Sequence, residues 1–252
     1  MLKLMISGIT GRMGRLVAEL AGSDPDITVI GGTSQHVVSE NLARDGQAVA
    51  ISTEPEQFVP KSDVIIDFSA PSALEKLLNI AVKYKKPLVT GTTGFADLSM
   101  LEKASKSIPV FYSANFSSGI HLINKLIPTI LKAMPIEEYD VELIETHHRG
   151  KKDAPSGTAL TIGQNIAKAL SKQLKDILRN PSDPRKSGEI GISSIRGGNV
   201  FGEHELMFLG QEETLAVKHT VMDRKVFART AVKAAQWLVQ QPSGLYGMGD
   251  IF

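Results

Sequence analysis

Apolar positions along the chain fall into two textures. In the first half, short apolar runs alternate with helical patterns. Leu2 to Ser7 ends at Gly8, and Leu16, Val17, Leu20 and Ala21 then share one side of a helix before the breaker Gly22-Ser23-Asp24-Pro25. Ile27 to Gly31 reads as a second strand. Val64 to Phe68 and Pro87 to Thr90 are apolar runs bounded by turn residues, which predicts buried strands with a helix over Pro71 to Tyr84 between them. Ile108 to Tyr112 adds another strand. This rhythm predicts an α/β domain, a doubly wound parallel sheet with helices on both faces and right-handed crossovers.

Beyond about residue 113 the texture changes. Ile120 to Ala133 predicts a long helix, Tyr139 to Glu145 a strand and Ser156 to Leu170 another helix. Gly191 to Val221 holds strand-like runs without intervening helices, and His204 to Leu209 and Thr214 to His219 flank Gly210-Gln211-Glu212-Glu213 as a hairpin. The pattern predicts a central α+β domain with a mostly antiparallel sheet. A last helix, Arg224 to Gln240, carries Phe227, Val232, Ala235, Trp237 and Leu238. Packed back on the first domain, it makes that domain discontinuous, with residues 1–115 and 225–252 in one domain and 116–224 in the other.

The length of 252 residues allows one to two domains at about 150 residues each. A chain with 42% hydrophobic and 22% charged residues is a folded globular protein, which excludes disordered, collagenous and coiled-coil classes. Lys and Arg number 28 against 27 Asp and Glu, so the net charge of +1 supplies no bulk field for nucleic acid or an anionic membrane. Any anion site must be local. With no Cys, disulfides, thiolate metal sites and thiol nucleophiles are excluded, which fits a reducing compartment. The amino terminus lacks signal-peptide anatomy and no run of about 18 apolar residues occurs, so a cytoplasmic protein with no membrane partner is expected.

Gly8-Ile9-Thr10-Gly11-Arg12-Met13-Gly14 lies after the first strand and before the first helix, the context a dinucleotide-binding turn requires. The first glycine permits the tight turn, the second lets backbone approach a pyrophosphate, and the helix start offers N–H groups and a positive dipole end. The spacing is G-x-x-G-x-x-G instead of G-x-G-x-x-G; a glycine-rich turn that binds nothing is the bland alternative. After the second strand, where an acidic residue ordinarily accepts from a ribose 2'-hydroxyl, stand Gly32-Thr33-Ser34-Gln35-His36. That neutral set tolerates a 2'-phosphate as well as a hydroxyl, unless Ser34 to His36 is only a solvated loop.

The densest chemistry runs from Glu145 to Thr158, where His147, His148, Arg149, Lys151 and Lys152 fall within six residues. These cations lie between the end of a strand and a helix opened by Ser156 and Gly157, so side-chain charge and helix-terminal N–H groups converge on a carboxylate or phosphate. Neighbouring strand residues face opposite ways, so His147 and His148 do not share a metal ion, and two different roles fit better. A His near neutrality and a protonated Lys supply proton transfer beside an anionic substrate. The alternative is a basic surface loop or a phosphate-backbone patch, which needs neither two His nor a Pro-Ser-Gly helix start. Arg196-Gly197-Gly198 reads as a turn, not an RNA-binding repeat. His204-Glu205 lacks a second His at helical spacing, so no metal is expected.

Taken together, these residues resemble the 4-hydroxy-tetrahydrodipicolinate reductase (dihydrodipicolinate reductase) family of the diaminopimelate route to lysine, nearly end to end. The most specific match is Glu145-x-His147-His148-x-x-Lys151-x-Asp153-x-Pro155-Ser156-Gly157-Thr158-Ala159. Supporting matches are Gly8-x-x-Gly11-Arg12-Met13-Gly14, Asp67-Phe68-Ser69, Gly91-Thr92-Thr93-Gly94-Phe95, Ser113-Ala114-Asn115-Phe116-Ser117-x-Gly119, Arg196-Gly197-Gly198 with His204, and Gly244-Leu245-Tyr246-x-Met248-x-Asp250.

The resemblance implies a Rossmann-type domain for NADH or NADPH and a central domain that binds a dicarboxylate substrate and builds a homotetramer. By it, Gly8, Ile9, Thr10, Gly11, Arg12 and Met13 hold the pyrophosphate, and Gly91, Thr92 and Thr93 with Ser113, Ala114, Asn115 and Phe116 line the nicotinamide side. His147 is then the proton donor or acceptor and Lys151 the proton donor, with His148, Ser156, Gly157 and Thr158 at the substrate. Gln35 and His36 replace the family's usual acidic and Arg pair at the ribose. An imine or amino-acid dehydrogenase on the same scaffold shares the glycine turn but does not need the whole His147 to Thr158 constellation. A cofactor-sensing regulator requires a docking or DNA-binding element, and none is visible.

Overall fold

The computed structural model describes residues 1–35, 42–44 and 47–252. The chain divides into two compact units, one of residues 1–118 and 224–252, the other of residues 119–223. The first begins with β1 (Leu2–Ser7), α1 (Arg12–Gly22) and β2 (Ile27–Thr33), followed by β3 (Leu42–Arg44), β4 (Gln47–Val49) and β5 (Ile51–Ser52). It continues through β6 (Val64–Asp67), α2 (Pro71–Lys83), β7 (Leu88–Thr90), α3 (Ser99–Ser105) and β8 (Pro109–Tyr112).

Seven of these strands, counting a late one, form a sheet in the order β13-β8-β7-β6-β1-β2-β5, where β13 is Gly244–Tyr246; every pairing in it is parallel. Both faces are buried, which is why the strands read as continuous apolar runs. On one face Leu4, Ile6, Ile66 and Val89 pack with Val17 and Ala21 of α1 and with Ala231, Ala235 and Leu238 of α7 (Lys225–Leu238). On the other, Met5, Ile65, Leu88 and Val110 pack with Leu74 and Leu77 of α2 and Leu101 of α3. The helix near the carboxyl end thus belongs to the first core, and β13 then adds an outer strand beside β8. Sequence periodicity does not announce β13, because three residues, one of them Gly, carry no apolar alternation.

The second unit is built from α4 (Ser118–Ala133), whose first residue still counts with the first unit, β9 (Asp140–His147), α5 (Gly157–Ala169), α6 (Leu174–Ile177), β10 (Ile190–Arg196), β11 (Glu203–Leu209) and β12 (Thr214–Thr220). Its sheet order is β10-β9-β11-β12; β9 and β10 run parallel and the other two pairings are antiparallel. Helices cover one face, and Val141, Leu143, Leu206 and Phe208 of the sheet pack with Ile123 and Ile127 of α4 and Ile162 and Ile166 of α5. The chain ends in α8 (Met248–Ile251). Among the described residues no helix is long and apolar enough to cross a membrane.

Candidate active site

In the first unit the glycine turn joins β1 to α1 through backbone bonds. Gly8 and Ile9 both donate to the Thr33 carbonyl at the end of β2, at 2.9 and 3.0 Å, and Gly11 donates back to Gly8. Gly8 holds a left-handed φ of +75°, and a Cβ there would stand 2.5 Å from the Phe68 carbonyl oxygen. A Cβ on Gly14 would collide with the Gly8 carbonyl, so this third glycine lets the helix close onto the turn. Arg15 N–H to Gly11 O is the first i→i−4 bond, which leaves the amides of Arg12 and Met13 ahead of the helical ladder. Ile9 is fully buried in the core and offers a ligand only its backbone. Beside the turn opens a cavity of about 390 Å³ whose walls include Gly8, Thr10, Gly11, Ser34, Gln35 and Phe68. His36 lies outside the described residues.

Of the other positions expected to meet a cofactor, Gly91 and Thr92 bond to Asp67, a buried residue. Asp67, at the end of β6, accepts from the hydroxyls of Ser69, Thr90 and Thr92 at 2.5, 2.9 and 2.6 Å. Gly91 N–H donates to the Asp67 carbonyl at 2.9 Å, so one residue sets the whole strand end. Thr93 and Ala114 are exposed. Ser113 Oγ donates to the Asn115 carbonyl at 2.7 Å and accepts from the Asn115 amide at 3.2 Å, which folds residues 113–115 into a tight loop. Phe116 turns inward, its ring 5.6 Å from Phe68 and 5.9 Å from Phe111. Periodicity did not single out Arg224 at the start of α7; burial and the neighbouring Arg12 charge push its guanidinium below the usual value. Backbone cradle and cavity both fit a dinucleotide.

In the second unit the sheet register composes the chemistry. On β9 every second residue, Val141, Leu143, Glu145 and His147, faces the helices. The same face is apolar at one end of the strand and polar at the other. Cross-strand partners continue the polar end: Ser194 and His204 flank Glu145, and Arg196 lies beside His147. Glu145 is fully buried and accepts two bonds from the Arg196 guanidinium, at 2.6 and 2.9 Å, and one from the Ser156 amide at 3.1 Å. Its second oxygen meets His147 Nδ1 in a very short contact. Arg196 also donates to the Asp153 carbonyl at 2.7 Å, and so ties the segment carrying Lys151 to the strand ends.

Burial alone would raise the Glu145 carboxyl, but hydrogen bonds from Arg196, Ser194 and His147 outweigh it and bring it down to about 2. Burial lowers His147 against the opposing pull of Glu145, with Lys151 and Arg196 adding to the lowering. A neutral His147 beside an ionised carboxylate carries its proton on Nδ1, which leaves Nε2 as the acceptor. The His204 ring stands edge-on to His147 at 5.3 Å, and burial above all brings it down to about 4. Its Nε2 lies 3.2 Å from Ser156 Oγ.

Ser156 caps α5, its Oγ accepting from the Ala159 amide at 3.2 Å. Its amide serves Glu145 and its hydroxyl oxygen serves the cap. Gly157 and Thr158 are the amides ahead of Leu160 N–H to Ser156 O, the first helical bond. Lys151 Nζ is 2.8 Å from Asp153, and His148 is half-buried just past the strand end. The reading of Arg196 as part of a turn is corrected. Gly197 and Gly198 do lead into a turn, but Arg196 itself is the last residue of β10 and the clamp on Glu145. Among the described residues no cluster of three or more His, Asp or Glu could hold a metal ion.

Residues 2–116 match the family described as "Dihydrodipicolinate reductase, N-terminus" and residues 119–252 match "Dihydrodipicolinate reductase, C-terminus". The chain is 42% identical over 254 residues to 4-hydroxy-tetrahydrodipicolinate reductase of Rickettsia rickettsii (strain Sheila Smith), covering 100% of this chain and 99% of the relative. The enzyme of the same name from Wolinella succinogenes is 39% identical over 255 residues, with 98% of each chain covered. Among solved structures, dipicolinate-bound dihydrodipicolinate reductase from Paenisporosarcina sp. TG-14 superposes with a TM-score of 0.80 at 23% identity, covering 100% of both chains. Two domain matches that together take in nearly every residue, with full-length relatives at this identity, establish that the chain belongs to the 4-hydroxy-tetrahydrodipicolinate reductase family of oxidoreductases.

Proposed function

We propose that this chain reduces 4-hydroxy-tetrahydrodipicolinate to tetrahydrodipicolinate with NADH or NADPH, the first unit binding the dinucleotide and the second the substrate. The observation that carries the reading is the convergence of Glu145, His147, Ser156 and Arg196 at one strand end, next to Lys151 and the start of α5. In net terms a hydride and a proton enter and the substrate's hydroxyl leaves as water. A bound nicotinamide supplies the hydride.

Every other requirement falls on this chain's side chains. Loss of water from the 4-hydroxy substrate gives a conjugated cyclic imine, and hydride addition to it leaves an electron-rich enamine, which a positioned acid must protonate. Lys151 is that acid. His147, neutral and held by Glu145 through Nδ1, keeps Nε2 ready to accept or return a proton. His148, with the Gly157 and Thr158 amides, meets the substrate carboxylates at the positive end of the α5 dipole. Gly8 to Met13 hold the pyrophosphate, Gln35 stands at the ribose, and Gly91 to Thr93 with Ser113 to Phe116 line the nicotinamide side.

The working protein is a cytoplasmic homotetramer in this reading. Exposed Leu122 and Leu126 on α4 and Ile195 on β10 support burial between subunits, at 55%, 37% and 51% exposure. Sedimentation equilibrium at a mass other than four chains would overturn the tetramer. The activity is tested by loss of reduced-nicotinamide absorbance in an assay coupled to synthesis of the cyclic substrate, run with each cofactor in turn. Absence of turnover with both would reject the reading.

A further inference from the structure

The cavity of the first unit has two walls. One is the turn after β1 and the end of β2, with Thr10, Ser34 and Gln35; Thr10 Oγ1 and Ser34 Oγ share a hydrogen bond at 2.7 Å. The other is the start of α2, where Ala73, Lys76 and Leu77 stand at i, i+3 and i+4 and so present one face to the cavity. Among the described lining residues Lys76 is the one cation, and none is a carboxylate.

Lys76 is held from behind. Its Nζ is 3.2 Å from Glu54, and about two helical turns further Lys83 meets Glu56 at 2.7 Å. These two rungs tie residues 54–56 to α2 and set the neighbouring Thr53 and Pro55 as cavity lining. The Lys76 and Glu54 side chains are 60% and 58% exposed, so their pairing is weak and gives way readily to a stronger anion.

We propose that Lys76 is a specificity-determining residue for the dinucleotide, supplying the cation that meets a 2'-phosphate on the adenine-side ribose. The inference rests on the reading of this cavity as the dinucleotide site. A ribose 2'-hydroxyl is best rewarded by a carboxylate, which the described lining lacks; a 2'-phosphate, nearly dianionic, is best rewarded by an ammonium with hydroxyl and amide donors around it. Lys76 supplies the first, and Thr10, Ser34 and Gln35 the second. Among the described residues, charge at this end of the cavity thus comes from α2.

Isothermal titration calorimetry with adenosine 2',5'-bisphosphate and adenosine 5'-monophosphate isolates the 2'-phosphate. Wild type binds the bisphosphate more tightly. Lys76→Gln weakens the bisphosphate about tenfold and leaves the monophosphate unchanged, and Glu54→Gln, which frees Lys76, tightens the bisphosphate alone. Equal loss of both nucleotides in Lys76→Gln, or no change in either, overturns the assignment of Lys76 while leaving the cavity a nucleotide site. If wild type binds neither nucleotide, the dinucleotide reading of the cavity falls, and the role of Lys76 with it. Both side chains are exposed, so the variants fold.

Discussion

Arg196 grips the buried carboxylate of Glu145 with both terminal nitrogens, across neighbouring parallel strands and 51 residues of sequence. The fork holds Glu145 ionised, and the ionised carboxylate in turn orients His147 through Nδ1 and anchors the Ser156 amide at the start of α5. Proton-transfer geometry and helix placement therefore hang on one ion pair.

Removing Arg196 leaves a buried charge without its partner. Arg196→Met is expected to lose about 3–5 kcal/mol of stability, read from urea unfolding, whereas Glu145→Gln with Arg196→Met together loses less than the sum of the single variants. Additive losses would mean that the two side chains act independently.

Acid should weaken the fold in two steps. His204 lies at about 4 when folded against an ordinary 6.5, so the unfolded chain binds the extra proton and stability falls as pH drops from about 6.5 through about 4. Glu145, at about 2 against 4.5, has the same sign and loses its contribution from about pH 4.5 through about 2. Urea midpoints measured down this range should show a smaller first step in His204→Asn, with the rest carried by His147, His121 and His219, and a smaller second step in Glu145→Gln. Unchanged slopes in either variant would contradict these protonation states.

His147→Gln and Lys151→Ala are each expected to lower kcat by about 10²- to 10⁴-fold while the cofactor dissociation constant stays near wild type. Steady-state kinetics and cofactor fluorescence titration separate the two quantities. A near-normal kcat with a sharply weakened cofactor would remove both residues from proton transfer.

Pyridine-2,6-dicarboxylate should compete with substrate far better than pyridine-2-carboxylate, because helix-terminal amides and adjacent cations accept two carboxylates. Equal inhibition constants would show that a second carboxylate goes unrecognised.

At the ribose, Gln35→Glu should shift kcat/KM toward NADH by supplying a hydroxyl acceptor and repelling a 2'-phosphate. A cofactor ratio unchanged by the substitution would place Gln35 away from the ribose.

The apolar runs of β1, β6 and β7 and the helical patterns of α1, α2, α4, α5 and α7 are legible in the sequence, because burial on both faces or on one stripe leaves its period in the residues. The Gly8 to Gly14 turn and the Glu145 to Thr158 segment are legible too, since local chain geometry suffices to bring glycine backbone or clustered cations to a helix start. Pairing over distance is not. Arg196 reads as part of a turn until β10 lies in register beside β9, His204 gains its place beside Ser156 only through β11, and Lys76 is one of several helix lysines until α2 closes a cavity wall. Periodicity names the face on which a side chain lies; which distant residue stands opposite is decided by strand register and helix packing, through contacts that no local stretch of sequence encodes.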